Sequence, residues 1–343
     1  MTTADIPDAP SPAGTAAVNI DAAVQQFRNG LGKLANEVGK VIVGHEDVVR
    51  DVLLAFIAGG HVLLEGVPGL GKTLLVSTLA RAVEQQFSRI QFTPDLMPAD
   101  ITGTNIVMES ADGGRRFEFQ KGPVFGNIVL ADEINRATPK TQSALLEAMQ
   151  EASVTVAGTR YALPQPFFVM ATQNPIEMEG TYPLPEAQLD RFFFKLEVKS
   201  PEVAGLVSIF ERTTRREMPE VTNVLTSAEV LQMRALSRDV PIARPLLEYV
   251  GRLVRGTHPD TGEAPDMVRR FVRYGSSPRG GQAIIHSSRI RALAAGRFNV
   301  SADDIRAVAR QALRHRVILN FEGEAEGVRQ DDVVQGILDA VRA

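Results

Sequence analysis

The segment from Gly66 to Thr73 combines glycines, a lysine and a hydroxyl at the spacing of a phosphate-binding loop. Its residues, Gly66-Val67-Pro68-Gly69-Leu70-Gly71-Lys72-Thr73, fit the pattern G-x-x-x-x-G-K-[ST]. Glycines let backbone N–H groups surround a di- or triphosphate, while Lys72 reaches the outer phosphates and the Thr73 hydroxyl ligates Mg²⁺. An apolar run before the loop and a helical run after it, from Leu74, give the strand–loop–helix context. The sequence therefore predicts nucleotide binding by Gly66–Leu74.

A second group of functional side chains ends an apolar strand at Asp132 and Glu133. The run Ile128-Val129-Leu130-Ala131 is of strand length, and the two acids follow it directly. Ligands bind at the carboxyl ends of strands in parallel α/β sheets, so both carboxylates are expected beside the phosphates. Asp132 would hold Mg²⁺, directly or through water, and Glu133 would accept a proton from the water that attacks the γ-phosphate. Ordinary helix N-cap acids are the alternative interpretation.

Four other polar residues stand close to strand or helix ends. Asn174 follows an apolar strand and is placed to orient the attacking water, although asparagine before proline is also a common turn residue. Arg191 directly precedes another apolar strand, and Arg136 is a candidate for a contact between subunits. Arg279 takes the second position of a predicted helix, where a positive charge is unfavourable unless an anion lies nearby.

Composition places the chain among ordinary soluble globular proteins. It has 343 residues, of which 44% are hydrophobic and 23% charged, and it contains no cysteine and no tryptophan. Disulfides, thiolate-bound zinc and cysteine nucleophiles are therefore excluded, which fits a cytoplasmic location. We expect no membrane insertion, because no apolar stretch approaches the roughly 20 residues of a membrane span. Residues 1–18 are acidic and rich in proline and alanine, so we predict a disordered tail and no signal peptide.

The order of elements predicts an α/β nucleotide-binding core over residues 19–200. Short continuous apolar runs suit strands that are covered on both faces of a parallel sheet. The predicted strands are His61–Leu64, Arg89–Phe92, Ile128–Ala131, Phe167–Ala171 and Phe192–Leu196. Two hairpins are predicted between them. The first turns at Asp112-Gly113-Gly114, and the second has Gly158 at its centre.

The last third of the chain is predicted to be helical. Residues 201–225 are expected to form a linker, and 226–343 a helical domain without strands. Thr226-Ser-Ala-Glu229 and Ser301-Ala-Asp-Asp304 read as capping boxes that start two helices. A third helix is predicted to open at Ser277-Pro278 and to stop at Gly296. Gly280-Gly281 lowers helix propensity, so a loosely held first turn is expected there.

Several motifs together resemble one known family. The phosphate loop, Asp132-Glu-Ile-Asn-Arg-Ala137 and Ala171-Thr-Gln-Asn-Pro175 look like those of an AAA+ ATPase of the MoxR type. The same resemblance is carried by Phe92–Gly103, Pro185–Phe192 and Ser277–Arg279. It runs from about Val41 to the C-terminus. The resemblance implies a P-loop AAA+ core with a sheet of five parallel strands and a helix-2 insert, followed by an all-α lid domain.

The resemblance also implies roles for individual residues. Asn174 matches sensor 1, Arg191 the arginine finger given to the neighbouring subunit, and Arg279 sensor 2 in the lid. The segment Val41-Ile42-Val43-Gly44 resembles the one that packs around adenine, and the hairpins resemble the inserts that face a ring's pore. The implied function is ATP hydrolysis to ADP by a homo-oligomer, usually a hexameric ring, with Mg²⁺. The ring would remodel client proteins, often with a partner that carries a von Willebrand factor A domain.

The distribution of charge leaves a second function open. Residues 268–316 contain eleven arginines and two aspartates, a local charge of +9 in a chain whose net charge is −4. Such a block suits phosphates, an acidic partner or solvated helix faces. A nucleic-acid translocase or a metal-chelatase-like motor is therefore the alternative. We expect no nucleic-acid partner, because the predicted hairpin tips carry few basic residues and no DNA-binding module is visible. A nucleotide-dependent switch is disfavoured by Glu133, which a pure switch does not need.

Overall fold

The computed structural model describes residues 19–67, 69–109, 115–174, 180–214 and 219–343. The predicted tail 1–18, Pro68, the turn Asp112-Gly113-Gly114 and Pro175 lie outside these ranges. None of the helices in the described ranges has the length and apolar character of a membrane span.

The N-terminal part of the chain is an α/β unit. Its helices are α1 (Ile20–Val41), α2 (Glu46–Ala58), α3 (Lys72–Ala82), α4 (Pro98–Thr102), α5 (Pro139–Glu151) and α6 (Glu186–Leu189). Its strands are β1 (Val62–Glu65), β2 (Phe87–Gln91), β3 (Gly103–Glu109), β4 (Arg115–Lys121), β5 (Ile128–Asp132), β6 (Ser153–Val156), β7 (Thr159–Ala162), β8 (Phe168–Gln173) and β9 (Phe194–Glu197). The predicted α/β class is confirmed.

Five of these strands form one parallel sheet in the order β2-β5-β8-β1-β9. The sequence-predicted strands match these five to within two residues at each end. Successive side chains of a strand point to opposite faces, so the sheet separates two hydrophobic cores. Leu64, Leu130 and Met170 face the core formed with α1, α2 and α3. Leu63 and Val129 face the core formed with α5.

Two antiparallel hairpins project from this sheet, as the sequence predicted. The first pairs β3 with β4, from Gly103↔Lys121 to Glu109↔Arg115. The second pairs β6 with β7, from Ser153↔Ala162 to Val156↔Thr159. Val107 and Phe117 pair directly across the first hairpin, and they are 55% and 78% exposed. The first hairpin thus presents apolar side chains to solvent.

The C-terminal part is a helical lid. Its helices are α8 (Ser227–Asp239), α9 (Arg244–Arg255), α10 (Asp266–Phe271), α11 (Pro278–Ala294), α12 (Ala302–Leu313), α13 (Phe321–Ala325) and α14 (Gln330–Ala340). Both predicted capping boxes are present, at Thr226 with Glu229 and at Ser301 with Asp304. The expectation of a lid without strands was wrong in one detail. Two short strands, β10 (Val272–Tyr274) and β11 (Ile318–Leu319), pair antiparallel.

Two further expectations differ from the structure. The stretch 201–225, expected as a linker, contains helix α7 (Val203–Thr213). The loosely held start of α11 was also wrong. Ser277 caps that helix through the N–H of Arg279, and Gly280 and Gly281 are both buried. A Cβ on Gly280 would collide with Ser276 and lie 2.9 Å from Leu313, so glycine is required there by close packing.

Candidate active site

The phosphate loop joins the carboxyl end of β1 to the first turn of α3. Gly69 and Gly71 have φ of +85° and +74°, and a Cβ at either position would meet no atom within 4 Å. Their requirement for glycine is therefore conformational, and the space beside them is open to a ligand. A Cβ on Gly66 would lie 2.6 Å from the carbonyl oxygen of Val198, so this glycine allows close approach of β9. Lys72 Nζ donates to the Gly66 carbonyl at 2.6 Å.

The two predicted acids lie at the carboxyl end of β5, the strand between β2 and the central β8. Thr172, at the end of the adjacent β8, connects them. Its Oγ1 donates to Asp132 Oδ1 at 2.6 Å and accepts the backbone N–H of Glu133 at 2.9 Å. Glu133 has φ of +57°, a left-handed conformation that costs energy for a residue other than glycine. Strain of this kind is typical of functional sites, and here Thr172 holds it in place.

Side chains of β2 and of the turn after β5 fix the orientation of both carboxylates. Arg89 Nη2 contacts Asp132 Oδ2 at 2.6 Å. Gln91 Nε2 donates to Glu133 Oε2 at 2.9 Å, and Arg136 Nη1 reaches the same oxygen at 3.0 Å. Arg136, expected at a contact between subunits, is thus a partner of Glu133 within the chain. Sequence reasoning missed Arg89, Gln91 and Thr172, which become neighbours of the acids only through the strand order.

The charges of the loop and of the two acids lie within electrostatic reach of each other. Burial lowers the pKa of Lys72, while the carboxylates of Asp132 and Glu133 oppose this shift. The lysine and the acid pair, 60 residues apart in the sequence, therefore belong to one site at the carboxyl ends of β1 and β5.

Asn174 and the end of β8 complete this edge of the sheet. Asn174 is 6% exposed and follows β8 directly, next to the strand that carries the acids. The preceding Gln173 donates to Glu65 Oε1 at 2.6 Å, and Lys195 pairs with Glu65 Oε2 at 2.7 Å. These contacts connect the ends of β8 and β1 with each other and with the Lys195 side chain of β9. Asn174 therefore lies at the same edge as Lys72 and Asp132.

A polar cleft of about 830 Å³ opens beside this edge. It is bounded by the start of α2, the end of β9, the start of α7 and helix α12, and Gly44 of the predicted adenine segment lines it. Its volume is in the range of small-molecule sites. His45 also lines the cleft, and its Nε2 is buried without a hydrogen-bond partner in the described part of the chain. Ile42 faces a neighbouring groove instead.

The donors at this edge fit Mg²⁺. The ion prefers carboxylate and hydroxyl oxygens, and it is usually held by one or two carboxylates together with phosphates and water. Asp132 and Thr73 are such donors. A carboxylate has about four lone-pair positions, so Asp132 retains acceptor capacity beyond its bonds to Thr172 and Arg89. Among the described residues, no cluster of three or more His, Asp or Glu side chains forms a preassembled metal site.

Arg191 and Arg279 lie near the amino ends of the strands, opposite the carboxyl ends where Lys72 and Asp132 are found. Arg191 precedes β9, whose first residue, Phe194, pairs with Val62 at the start of β1. Arg279 Nη1 is 3.3 Å from Asp190 Oδ2, so the anion expected near this arginine is a carboxylate of the same chain. The length of β1, about 13 Å for four residues, separates these arginines from the phosphate loop. Within one chain, therefore, Arg191 and Arg279 do not lie at the carboxyl ends of the strands with Lys72.

Most of the arginines in the basic block of the lid have partners within the chain. Seven of the eleven form ion pairs: Arg269, Arg270, Arg279, Arg291, Arg297, Arg314 and Arg316. Arg306 and Arg310 donate hydrogen bonds to Tyr249 and Gln335. Ion pairs with acids outside the block, at Asp190, Asp266, Glu322, Glu326 and Asp331, therefore offset part of the local excess of positive charge.

Comparisons with known proteins agree with this geometry. The family "ATPase family associated with various cellular activities (AAA)" matches residues 61–194, and "AAA lid domain" matches residues 266–337. The chain is 44% identical to the uncharacterized protein YeaC of Bacillus subtilis (strain 168), over 91% of this chain and 94% of YeaC. It is 43% identical to Chaperone MoxR1 of Mycobacterium tuberculosis, over 89% of this chain and 80% of that protein.

A solved structure gives the same result for the fold. A crystal structure of a protein from Cytophaga hutchinsonii superposes with a TM-score of 0.87 at 40% identity, covering 94% of this chain and 97% of that one. Similarity therefore extends through both the core and the lid. Together with the phosphate loop, the acid pair and the five-stranded sheet, these matches show that the chain belongs to the MoxR-type AAA+ ATPases.

Proposed function

We propose that the chain hydrolyses ATP in a ring of identical subunits, in which the adjacent copy completes each phosphate site. The observation that carries the proposal is the position of Arg191 and Arg279 at the amino ends of the strands, away from Lys72 of the same chain. Arginines at one face and a phosphate loop at the opposite face suit a head-to-tail contact. Such contacts are heterologous, and they form a ring when the rotation between adjacent copies closes. Six subunits is the ring size that the family resemblance implies.

In this proposal, residues of one chain hold the phosphates and activate water. The loop N–H groups and Lys72 bind the triphosphate, and Lys72 exchanges the Gly66 carbonyl for a phosphate oxygen. Thr73 and Asp132 would hold Mg²⁺, which when bound neutralises phosphate charge. Glu133 accepts the proton of the attacking water, and Asn174 orients that water. Phosphoryl transfer needs little covalent help from a protein, so this positioning supplies most of the rate.

The adjacent copy supplies positive charge to the transition state. Where arginine fingers have been measured, they are worth about 10³–10⁵ in turnover. In our proposal Arg191 of the adjacent copy takes this role. Arg279 of that adjacent copy acts as sensor 2 and binds the same nucleotide. Both residues then act on the neighbour's ATP, because Arg279 pairs with Asp190, the residue directly before Arg191. Turnover consequently depends on assembly.

Mixing two inactive variants tests this arrangement. Lys72→Ala cannot use its own phosphate site but retains its arginines, whereas Arg191→Ala has the opposite defect. Each protein alone should be inactive. Together they should regain about a quarter of wild-type turnover, because half of the sites are intact and half of those receive an intact finger in a heterologous ring. Inactivity at every mixing ratio, with rings demonstrably mixed, would refute the shared site.

We further propose that hydrolysis drives chaperone-like remodelling of client proteins. Supporting this are the name of the relative Chaperone MoxR1 and the exposed apolar pair Val107 and Phe117 on the first hairpin. The family resemblance adds a partner with a von Willebrand factor A domain. Glu133→Gln should retain ATP and hold clients, so affinity capture with this variant, compared with Lys72→Ala, tests the proposal. Equal sets of bound proteins in the two captures would contradict it.

A further inference from the structure

The loop that carries Arg191 is held mainly by the lid. Ser277 Oγ donates to both carboxylate oxygens of Asp190, at 2.8 and 2.9 Å. Arg279 Nη1 approaches the same carboxylate at 3.3 Å, and Arg316 Nε donates to it at 2.8 Å. Three lid side chains thus converge on the residue immediately before Arg191. Asp190 is the point at which the core and the lid are joined at this edge.

Arg316 is the most buried of these partners, and it also holds the backbone of the loop. Its side chain is 3% exposed. Nη2 donates to the carbonyls of Asp190 and Phe192 at 3.0 and 2.7 Å, and Nη1 donates to the Phe193 carbonyl at 3.3 Å. The adjacent His315 contacts the Phe192 carbonyl through Nε2 at 3.0 Å. One guanidinium therefore fixes the backbone on both sides of Arg191.

Contacts of the same loop with the core are fewer. The N–H of Phe193 donates to the His61 carbonyl at 2.7 Å, ahead of β1, and the N–H groups of residues 190, 191 and 192 donate to carbonyls of α6 at 3.0, 3.2 and 3.0 Å. The Phe192 side chain is fully buried in the core. Burial of a charged guanidinium is costly unless the charge is paired and its other donors are satisfied. For Arg316, the Asp190 carboxylate and carbonyls of the loop 190–193 offset this unfavourable free energy. Such an arrangement holds the loop in one position relative to the lid.

We propose that Arg316 is a positioning residue that, through Asp190 and the 190–193 backbone, makes Arg191 move with the lid of its own subunit. The inference rests on the proposed function, because it needs Arg191 to serve the adjacent copy. A movement of one lid then changes the position of the arginine that the next phosphate site receives. Arg279, which contacts the Asp190 carboxylate, would move together with Arg191 relative to the same phosphate site. Communication between neighbouring nucleotide sites would therefore pass through Asp190 and Arg316.

The test asks in which subunit the defect of an Arg316 variant appears. We expect Arg316→Gln to lower kcat at least tenfold while KM for ATP stays within twofold, because its own phosphate site is intact. Mixed with Lys72→Ala, which supplies a properly positioned finger, it should regain about a quarter of wild-type turnover in a heterologous ring. Mixed with Arg191→Ala it should stay inactive, because both proteins lack a usable finger.

The opposite pattern would overturn the inference. If Arg316 supports its own phosphate site, Arg316→Gln will complement Arg191→Ala and fail to complement Lys72→Ala. Wild-type kcat for Arg316→Gln would also overturn it. Failure of the Lys72→Ala and Arg191→Ala pair refutes the shared site itself, and the inference with it. Success of that pair together with the opposite pattern for Arg316→Gln refutes only the inference.

Two variants keep the test independent of folding. Arg316→Lys retains the charge but loses the forked contacts to several carbonyls, so it should show the same complementation pattern if Arg316→Gln does not fold. Arg297→Gln is the matched control, because Arg297 pairs with Asp304 at 2.9 Å within the lid and does not touch residues 190–193. It should lower the melting temperature without requiring complementation. Loss of turnover in Arg297→Gln equal to that in Arg316→Gln would contradict a specific role for Arg316.

Discussion

Thr172 offers the sharpest test of how the acid pair is positioned. The residue is fully buried, and its hydroxyl both donates to Asp132 and accepts from the Glu133 N–H. Thr172→Val keeps the shape of the side chain but removes both bonds. The carboxylate of Asp132 loses the donor to Oδ1 and keeps Arg89 at Oδ2, and the N–H of Glu133 loses its only acceptor among the described contacts. We expect less accurate positioning of both acids, with the rest of the sheet unchanged.

The size of the effect follows from the bond that is lost. A hydrogen bond to a charged group is worth about 1.5–3 kcal/mol. If that free energy is expressed in the transition state, kcat falls roughly ten- to hundredfold, at about 1.4 kcal/mol per factor of ten. Loss of a residue that orients a metal ligand costs a similar factor, about 10–100-fold, in metal affinity. The Mg²⁺ concentration for half-maximal activity should therefore rise as well.

Steady-state ATPase measurements over a Mg²⁺ titration, with direct binding of a fluorescent ADP analogue, test this prediction. Thr172→Ser keeps the hydroxyl and should retain most of the activity. Thr141→Val is the matched control for stability, because Thr141 is also buried and donates to the Leu96 carbonyl at 2.7 Å, away from the acids. If Thr172→Val lowers the melting temperature as Thr141→Val does but leaves kcat and the Mg²⁺ dependence unchanged, the positioning role is refuted.

Three other outcomes are expected. Lys72→Ala should weaken nucleotide binding about 10–100-fold, the value of a charged contact, and unchanged affinity by calorimetry would exclude the phosphate role. Glu133→Gln should bind ATP normally and lose at least about 100-fold in kcat, the usual contribution of a general base; single-turnover hydrolysis at the wild-type rate would contradict this. His61 is buried, and burial lowers its pKa to about 4, against 6.5 in the unfolded chain. The unfolded chain therefore binds more protons than the folded chain below pH 6.5. As the pH falls from 7 to 5, His61 should lower the free energy of unfolding by about 2 kcal/mol. His61→Gln should reduce that loss in denaturant titrations, and an identical loss in both proteins would count against it.

Local patterns predicted much of the fold. Strands β1, β5 and β8 each contain a continuous apolar run, and the capping boxes at Thr226 and Ser301 depend on residues only three apart. The helix that begins at Pro278 is likewise defined by its own Ser-Pro start and by Gly296 at its end, whose φ is +76°. Information within a short window was sufficient for these elements. Helix α7 was missed because the charged residues around it favoured a linker.

Contacts between distant residues could not be predicted in the same way. Arg89 and Gln91 approach the acid pair because β2 lies beside β5, which the sequence does not specify. Arg316 contacts Asp190 across 126 residues and two domains. The first turn of α11 was expected to be loose on propensity alone, whereas close packing against Leu313 decides that Gly280 stays small. In each case tertiary contacts outweigh the local preference.

The proposed active unit is an assembly whose neighbouring copies share a nucleotide site. It is tested most directly by measuring turnover per subunit against protein concentration, with saturating Mg²⁺ and ATP, while mass photometry counts the subunits. Turnover per subunit should rise steeply over the concentration range in which rings form. A monomer that hydrolyses ATP at a constant rate per chain across that range would contradict it.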